Sequence, residues 1–311
     1  MCASANQFAG VLSVIIPSYN TCELLERCLT SLVTENSRCS REVIVVDNAS
    51  KDASVAMVSK KFPNVCLLAS PKNIGFGAAC NYGFSASKGD YVLFLNSDTE
   101  VPSGALDELC AIMNEDPSVG TLSPRLKGSH QRLLQMTWEW EPSFLGELKR
   151  RIFSSASIKK SFLIKKWVDF LQKDDKNVPC VAGAALMTRR TVFEKLRGFD
   201  ERFKLYFEDS DFCRRVRKSG LAVRFTPRVE VIHHLGQSMK MAETKTNLIY
   251  RQSQIYYYQK HAGWLENFLL SLYLRGKFFN MYFLPVLPEH RRIFYEKMRR
   301  VINREIRIEL D

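Results

Sequence analysis

Short β-branched apolar runs recur through the first 126 residues, and each halts at a polar or turn residue. They are V-L-S-V-I-I (11–16) before Pro17, E-V-I-V-V (42–46) before Asp47, V-C-L-L (65–68) and Y-V-L-F-L (91–95) before Asn96. Each run reads as a strand buried on both faces. Helical periodicity fills the gaps: residues 22–33 place apolar side chains at 24, 25, 28, 29 and 32, and helices are also expected over 53–62 and 77–87, the last closed by Gly89. Strand–helix–strand alternation implies parallel pairing with right-handed crossovers, hence an α/β fold. Residues 127–179 break the pattern. Regular signals return with strands over 181–188, 222–225 and 229–233 and a helix over 210–219 ended by Gly220. Helices over 242–261, 264–274 and 290–308 then complete the chain, without internal repeats or low-complexity tracts.

Composition narrows this picture. The 311 residues are 46% hydrophobic and include 20 Phe, 11 Tyr and 4 Trp, enough for a sizeable core and too many for a disordered chain. The net charge of +12 is unevenly spread: residues 1–126 carry 9 basic and 13 acidic side chains, and the remainder carries 36 and 20. A basic half suggests an anionic partner, whether nucleic acid, phosphate-bearing substrate or anionic membrane. Nine cysteines, an odd number with no C-x-x-C spacing, read as reduced thiols. No secretory leader is expected at residues 1–10, and Arg275 and Lys277 interrupt the apolar stretch 268–287, which argues against a membrane span.

Three polar clusters stand where strands end: P-S-Y-N (17–20), D-N-A-S (47–50) and N-S-D-T (96–99). In an open parallel sheet the ligand crevice lies outside the carboxyl ends of the strands, so the three clusters form one site. Residues of these types also cap helices and make turns, which is the plainer explanation of any one cluster. The acids are most telling where they run against the charge around them. Asp98 follows a buried strand, and Glu208-Asp209-Ser210-Asp211 opens a helix inside the basic half. Asp98 with an imidazole from His233-His234 would suit Mg²⁺ or Mn²⁺, a diphosphate completing the shell. A carboxylate of the 208–211 cluster could serve as general base toward a hydroxyl. Helix capping would account for the same acids, and ordinary strand-end placement for either histidine.

These segments resemble family-2 glycosyltransferases of GT-A fold, most closely their bacterial rhamnosyltransferase-like members. The likeness rests on V-L-S-V-I-I-P-S-Y-N (11–20), E-V-I-V-V-D-N-A-S-K-D (42–52), N-I-G-F-G-A-A-C-N-Y-G (73–83) and G-D-Y-V-L-F-L-N-S-D-T (89–99). It continues in G-F-D-E-R-F-K-L-Y-F-E-D-S-D-F-C-R-R-V-R-K-S-G (198–220) and H-H-L-G-Q-S (233–238). It implies a mostly parallel central sheet flanked by helices, with residues 1–240 as the catalytic domain, a variable basic insertion at about 127–179, and 241–311 as a helical extension, an acceptor or membrane-surface region. It further implies that Pro17, Tyr19, Asn20, Asp47 and Asn48 line the nucleoside pocket, and that Asn73, Gly75 and Gly77 fold beside nucleoside and diphosphate. Asn96-Ser97-Asp98 stands at the D-x-D motif, with Asn96 in place of the first Asp, which leaves Asp98 as the metal-binding acid. Asp209 would be the catalytic base, Glu208, Asp211 and Gly183 would support the site, and His234 (or His233) would be a late metal or diphosphate ligand.

The activity so implied is inverting, metal-dependent transfer of one sugar from a nucleoside-diphosphate sugar, dTDP-rhamnose favoured over a UDP-sugar. The acceptor would be a saccharide or lipid-linked hydroxyl in cell-envelope polysaccharide synthesis. The Q-x-x-R-W signature of processive synthases is absent. A nucleotidyltransferase would show a Gly-rich loop with a lysine near the first strand, and 17–20 has neither. A nucleic-acid-binding protein accounts for the basic half but not for its amphipathic blocks. Those blocks are residues 149–166, with seven cations and no acid, and the chain from Lys240 on, with 13 basic and 7 acidic residues. They predict a cytoplasmic protein held peripherally on anionic lipid, with no nucleic-acid partner. Trp138, Trp140 and Trp167 are expected in a core rather than stacked on sugar.

Overall fold

The computed structural model describes residues 10–35, 37–128, 137–144, 146, 166, 170–234, 243–282, 289–305 and 307–310. The basic stretch 149–166, apart from a helical Lys166, and Trp167 lie outside them. The four apolar runs become β1 (Val11–Ser18), β2 (Ser40–Asp47), β3 (Cys66–Ala69) and β4 (Tyr91–Leu95). Between them stand α1 (Cys22–Thr34), α2 (Ser54–Lys61) and α3 (Phe76–Ala86). All three strand pairs are parallel, in the order β3-β2-β1-β4. Alternate strand residues feed opposite faces. Val14, Ile16 and Leu93 meet Leu25 and Leu29 of α1, whereas Ile15, Val46 and Phe94 meet Ala79 and Cys80 of α3. β3 is the exception to burial on both faces. It pairs only with β2, so Cys66 and Ala69 are exposed at the sheet edge.

The sheet continues through β5 (Thr99–Glu100), β6 (Val119–Gly128), β8 (Lys176–Asn177), β10 (Ala185–Arg189) and β11 (Ala222–His233), with α4 (Ala105–Glu115) leading into β6. β10 runs antiparallel to both β4 and β6, and β5 and β8 run antiparallel to β11, so the nine-stranded sheet is mixed rather than mostly parallel. Both ends of the 127–179 stretch therefore belong to this sheet. β11 is one strand where the sequence predicts two. Its register against β6 slips between Thr226 and Glu230, bulging out Pro227, which has no N–H for the ladder. The expected 181–188 strand instead splits into β9 (Cys180–Val181), paired with β7 (Trp138–Glu139) in a small second sheet, and β10. The break carries Gly183. Trp140, half-buried, packs on the core as expected.

α5 (Arg190–Lys195) and α6 (Glu208–Lys218) cover the α3 face. The chain then forms α7 (Glu243–His261), α8 (Trp264–Tyr282) and α9 (Glu289–Ile302). α8 runs past its expected end at 274 to Tyr282, carrying Gly276 where a Cβ would meet only open space. These helices share a third core with the loop before α6: Phe203 and Phe207 pack among Leu248, Tyr257, Tyr258, Leu270, Leu274 and Met298. The eight described cysteines are free thiols.

Candidate active site

A cavity of about 550 Å³ opens at the carboxyl ends of β1, β2 and β4. Its lining brings together Pro17, Tyr19, Asn48, Asn73, Gly75, Asn96, Asp98, Gly183, Glu208 and Asp209, which are spread over nearly 200 positions of sequence. Asn20, Asp47, Gly77, Asp211, His233 and His234 stand outside that lining.

Backbone geometry explains several of these residues. Asn48 accepts from Ile74 N at 2.8 Å and donates to Asn73 Oδ1 at 2.9 Å, which clamps the 73–75 loop across the strand ends. Gly75 has φ +96°, and a Cβ there would stand 2.6 Å from Lys204 O, so only glycine fits. Gly77 lies against Glu208 and Phe199, where it allows α3 to approach α6. Asn20, at φ +53°, accepts from Lys51 N at 2.7 Å and ties the β1 and β2 loops together. Asp47 accepts from Ser50 N through Oδ2 at 3.0 Å, while its Oδ1 is buried without a hydrogen-bond donor. A buried orphan acceptor is costly unless a ligand N–H completes it.

The 96–98 turn is fixed from three sides. Thr21 Oγ1 donates to Ser97 Oγ at 2.9 Å, Asn96 N donates to Ala184 O at 2.9 Å, and β5 pairs with β11 so that His233 opposes Thr99. This register sets His233 Nε2 3.2 Å from Asp98 Oδ1, with the Asn96 amide 3.5 Å from the same nitrogen. His234 turns instead to Glu100 Oε1 at 2.7 Å and gives only its backbone N–H to Asp98 O. The two rings of the doublet thus part: His233 faces Asp98, and His234 faces Glu100. Among the described residues no three His, Cys, Asp or Glu side chains converge as a complete metal cage. A carboxylate and an imidazole alone fit a hard divalent cation that takes its other ligands from a diphosphate and water.

Asp209 sits in the first turn of α6. Its Oδ2 accepts from Gly183 N at 2.9 Å and its Oδ1 from Ser210 N at 2.6 Å. A Cβ on Gly183 would lie 3.3 Å from the Asp209 Cβ, a tight contact that the glycine avoids. Burial raises the Asp209 carboxyl above the usual carboxylate range, and these donors only partly offset it. Glu208 is buried with Oε2 unpartnered, and burial followed by the neighbouring Asp209 charge lifts it well above that range. Asp211 behaves oppositely. It is fully buried behind the cavity and receives Arg215 Nε at 2.7 Å and Lys260 Nζ and His261 Nε2 at 2.6 Å. Burial opposes its charge, yet the three partners hold it below its ordinary value.

The structure adds residues that sequence reasoning missed. Lys204, Leu205 and Tyr206 from the loop before α6, Lys245, Thr246 and Ile249 from α7, and Leu310 from the tail line the same cavity. Tyr206 and Phe207 both adopt positive φ, +67° and +69°, a strained conformation for aromatic residues immediately before the acids. Tyr250 holds their rings at 5.4 and 5.2 Å. Burial, with the Glu208 charge adding to it, pushes the Tyr206 phenol up to about 12. Lys204, Leu205 and Tyr206 stand inside the 198–220 motif, whereas no local motif announces the rest of this wall, which comes from α7 and the tail.

The glycosyl transferase family 2 profile matches residues 13–197, and a second, described as the N-terminal domain of galactosyltransferase, matches 173–238. The chain belongs to glycosyl transferase family 2. Glycosyltransferase chemistry thus replaces the nucleotidyltransferase and nucleic-acid-binding alternatives. Among similar proteins, the N-acetylglucosaminyl-diphospho-decaprenol L-rhamnosyltransferase of Mycobacterium tuberculosis is 26% identical over 266 residues, 82% of this chain and 86% of that enzyme. The GT-A fold is shared with a mannosyltransferase of Pyrobaculum calidifontis solved with GDP-Man and Mn²⁺, at a TM-score of 0.55 and 17% identity over 94% of this chain and 70% of that one. It is shared also with GalNAc-T7 solved with UDP, GalNAc and Mn²⁺, at a TM-score of 0.59 and 15% identity over 94% and 55%.

Proposed function

We propose that this family-2 glycosyltransferase moves a single sugar, with inversion at C1, from a nucleoside-diphosphate sugar to a hydroxyl of a saccharide or lipid-linked acceptor in cell-envelope polysaccharide synthesis. The observation that carries the reading is one cavity holding the strand-end polar residues and, at its α6 side, the Asp209 carboxylate fixed by two backbone N–H groups. dTDP-rhamnose is the favoured donor and a lipid-linked diphosphate sugar the favoured acceptor, in keeping with the mycobacterial relative.

Asp47, with its orphan oxygen, and Asn48 serve the nucleoside at the β2 end, beside Pro17, Tyr19 and Asn20. Asp209 takes the acceptor hydroxyl proton as the new C1–O bond forms opposite the departing nucleoside diphosphate. The bound pair of electrons of the old C1–O bond leaves with the diphosphate. Asp98 and His233 would hold Mn²⁺ or Mg²⁺, which supplies charge neutralisation for that leaving group. Gly183 N–H and Ser210 N–H orient the base throughout. The same reading sets the enzyme peripherally on the cytoplasmic face of the membrane, where a lipid-linked acceptor is presented.

Asp209→Asn lowers transfer by on the order of 10³-fold while donor binding, followed by thermal shift, is kept. Normal turnover in that variant would remove Asp209 from the mechanism. A panel of dTDP- and UDP-sugars in the same assay decides the donor. EDTA stops transfer and added Mn²⁺ or Mg²⁺ restores it; full activity in metal-free buffer would overturn the metal site.

A further inference from the structure

α8 carries an apolar face that nothing in the described fold covers. Trp264, Leu265, Phe268 and Leu272 are 80%, 52%, 57% and 58% exposed, whereas Leu270 and Leu274 on the opposite side enter the third core. At about 100° of rotation per residue, Trp264, Leu265, Phe268, Leu272 and Arg275 fall within about 100° of arc. The arc holds no acid and ends in a cation. Scattered exposed apolar residues are ordinary, but four on one helix face form a patch with a purpose.

The chain from Lys240 on is net basic. α9 packs against the opposite side of α8 through Leu270, Leu274, Met298 and Val301, and its own outer face exposes Arg292, Lys297, Arg299 and Arg300 with Ile293 and one acid, Glu296. Among the described residues no helix is long and apolar enough to cross a bilayer. An apolar arc opening on Trp and ending on Arg, in a half of the chain that carries 36 basic and 20 acidic residues, matches an element lying in the plane of a lipid interface. There indole sits at headgroup level, apolar side chains enter the acyl boundary and cations meet anionic headgroups.

We infer that the exposed face of α8, closed by Arg275 and carried on the net-basic part of the chain, docks this protein on an anionic membrane surface by shallow insertion of Trp264, Leu265, Phe268 and Leu272. The inference rests on the proposed lipid-linked acceptor only for its biological purpose, and its test uses no transfer activity. Purified full-length chain is floated with vesicles of pure phosphatidylcholine and with vesicles containing phosphatidylglycerol, beside a Phe268→Ser/Leu272→Ser variant. The expected result is flotation with anionic vesicles, more than about tenfold weaker partitioning of the variant, and an unchanged melting temperature, since both side chains are exposed. A blue shift of wild-type tryptophan emission that Trp264→Phe removes would place that residue in the interface. Equal flotation of wild type and double variant would overturn the proposal. So would a dimer in solution, seen by light scattering, that the same two substitutions dissolve, because a second copy would then own the face. Loss of donor turnover with flotation intact would count against the catalytic reading and leave this one standing.

Discussion

The two adjacent histidines differ only in where the β11 strand ends. His233 is the last ladder residue, paired opposite Thr99, so its ring is delivered to Asp98; His234 has left the ladder and reaches Glu100. Sequence alone could not choose between them, since strand registers are set by distant pairing. His233→Ala is expected to raise the Mn²⁺ concentration for half-maximal transfer by on the order of tenfold or more, and His234→Ala to leave it near wild type. A metal titration of the two variants checks this, and the opposite ranking would return the ligand to His234. The acids beside the cavity make a second statement at this scale. As the proposed base, Asp209 has to be ionised to accept a proton, and burial raises its carboxyl, so transfer is expected to be lost as pH falls through a value above the ordinary carboxylate figure of about 4. Because Glu208 is raised as well, the acidic limb of the pH–rate profile belongs to the pair. A limb at or below about 4 would mean that no raised carboxyl acts as base.

At the scale of elements, α7 acts as a splint for the turn that leads into Glu208 and Asp209. Ser253 Oγ donates to Leu205 O at 2.8 Å, the Tyr250 ring packs at a steep angle against the strained Tyr206 and Phe207, and Lys260 bridges Asp200 at 2.7 Å to Asp211 at 2.6 Å. Asp200 and Asp211 are both held below their ordinary values against the opposing effect of burial. Carboxylates with depressed folded values contribute stability that is present above the unfolded pKa of about 4 and is lost as pH falls through the folded one. The attachment of α7 is therefore expected to loosen in acid, below about pH 4. Asp211→Ala removes an acceptor shared by Arg215, Lys260 and His261, while Lys260 keeps Asp200 and Arg215 keeps the Leu196 and Gly198 carbonyls. It is expected to cost about 1–3 kcal/mol in urea unfolding at pH 7 and less as the pH drops toward 3. A cost independent of pH would mean packing, not charge, holds the helix.

The same element scale shows what was legible in the sequence. α1, α3 and the four apolar strands announce themselves because each alternates cleanly between a buried face and water or between two cores. β6 does not, since Gly120, Ser123 and Pro124 interrupt its apolar pattern. Gly120 is there because a Cβ would stand 2.7 Å from Val216 of α6, a requirement of tertiary packing that no local period records. The cavity followed the same division. Its strand-end half was readable from three polar clusters, while the wall of Lys204, Tyr206, Lys245 and Ile249 depends on α7 docking beside α6.

For the whole molecule, the uneven charge and the exposed face of α8 separate the work of binding into two terms. The portion before residue 127 is net acidic and supplies Asp47 and Asp98, while the surplus cations lie in the remainder, with exposed ones on α8 and α9. Coulomb attraction to anionic lipid weakens as the screening length shrinks from about 10 Å at 0.1 M salt to about 3 Å at 1 M. Apolar insertion does not weaken in that way. Raising NaCl should thus lower the rate on a vesicle-embedded acceptor toward a plateau, with hydrolysis of the free donor in the same tube unchanged. The plateau measures the apolar share, so Phe268→Ser/Leu272→Ser should remove it, leaving a rate that falls with salt throughout. A donor-hydrolysis rate that fell in parallel would locate the salt effect in the active site instead of at the membrane. A plateau equal in the variant would assign the apolar contribution to a different part of the chain.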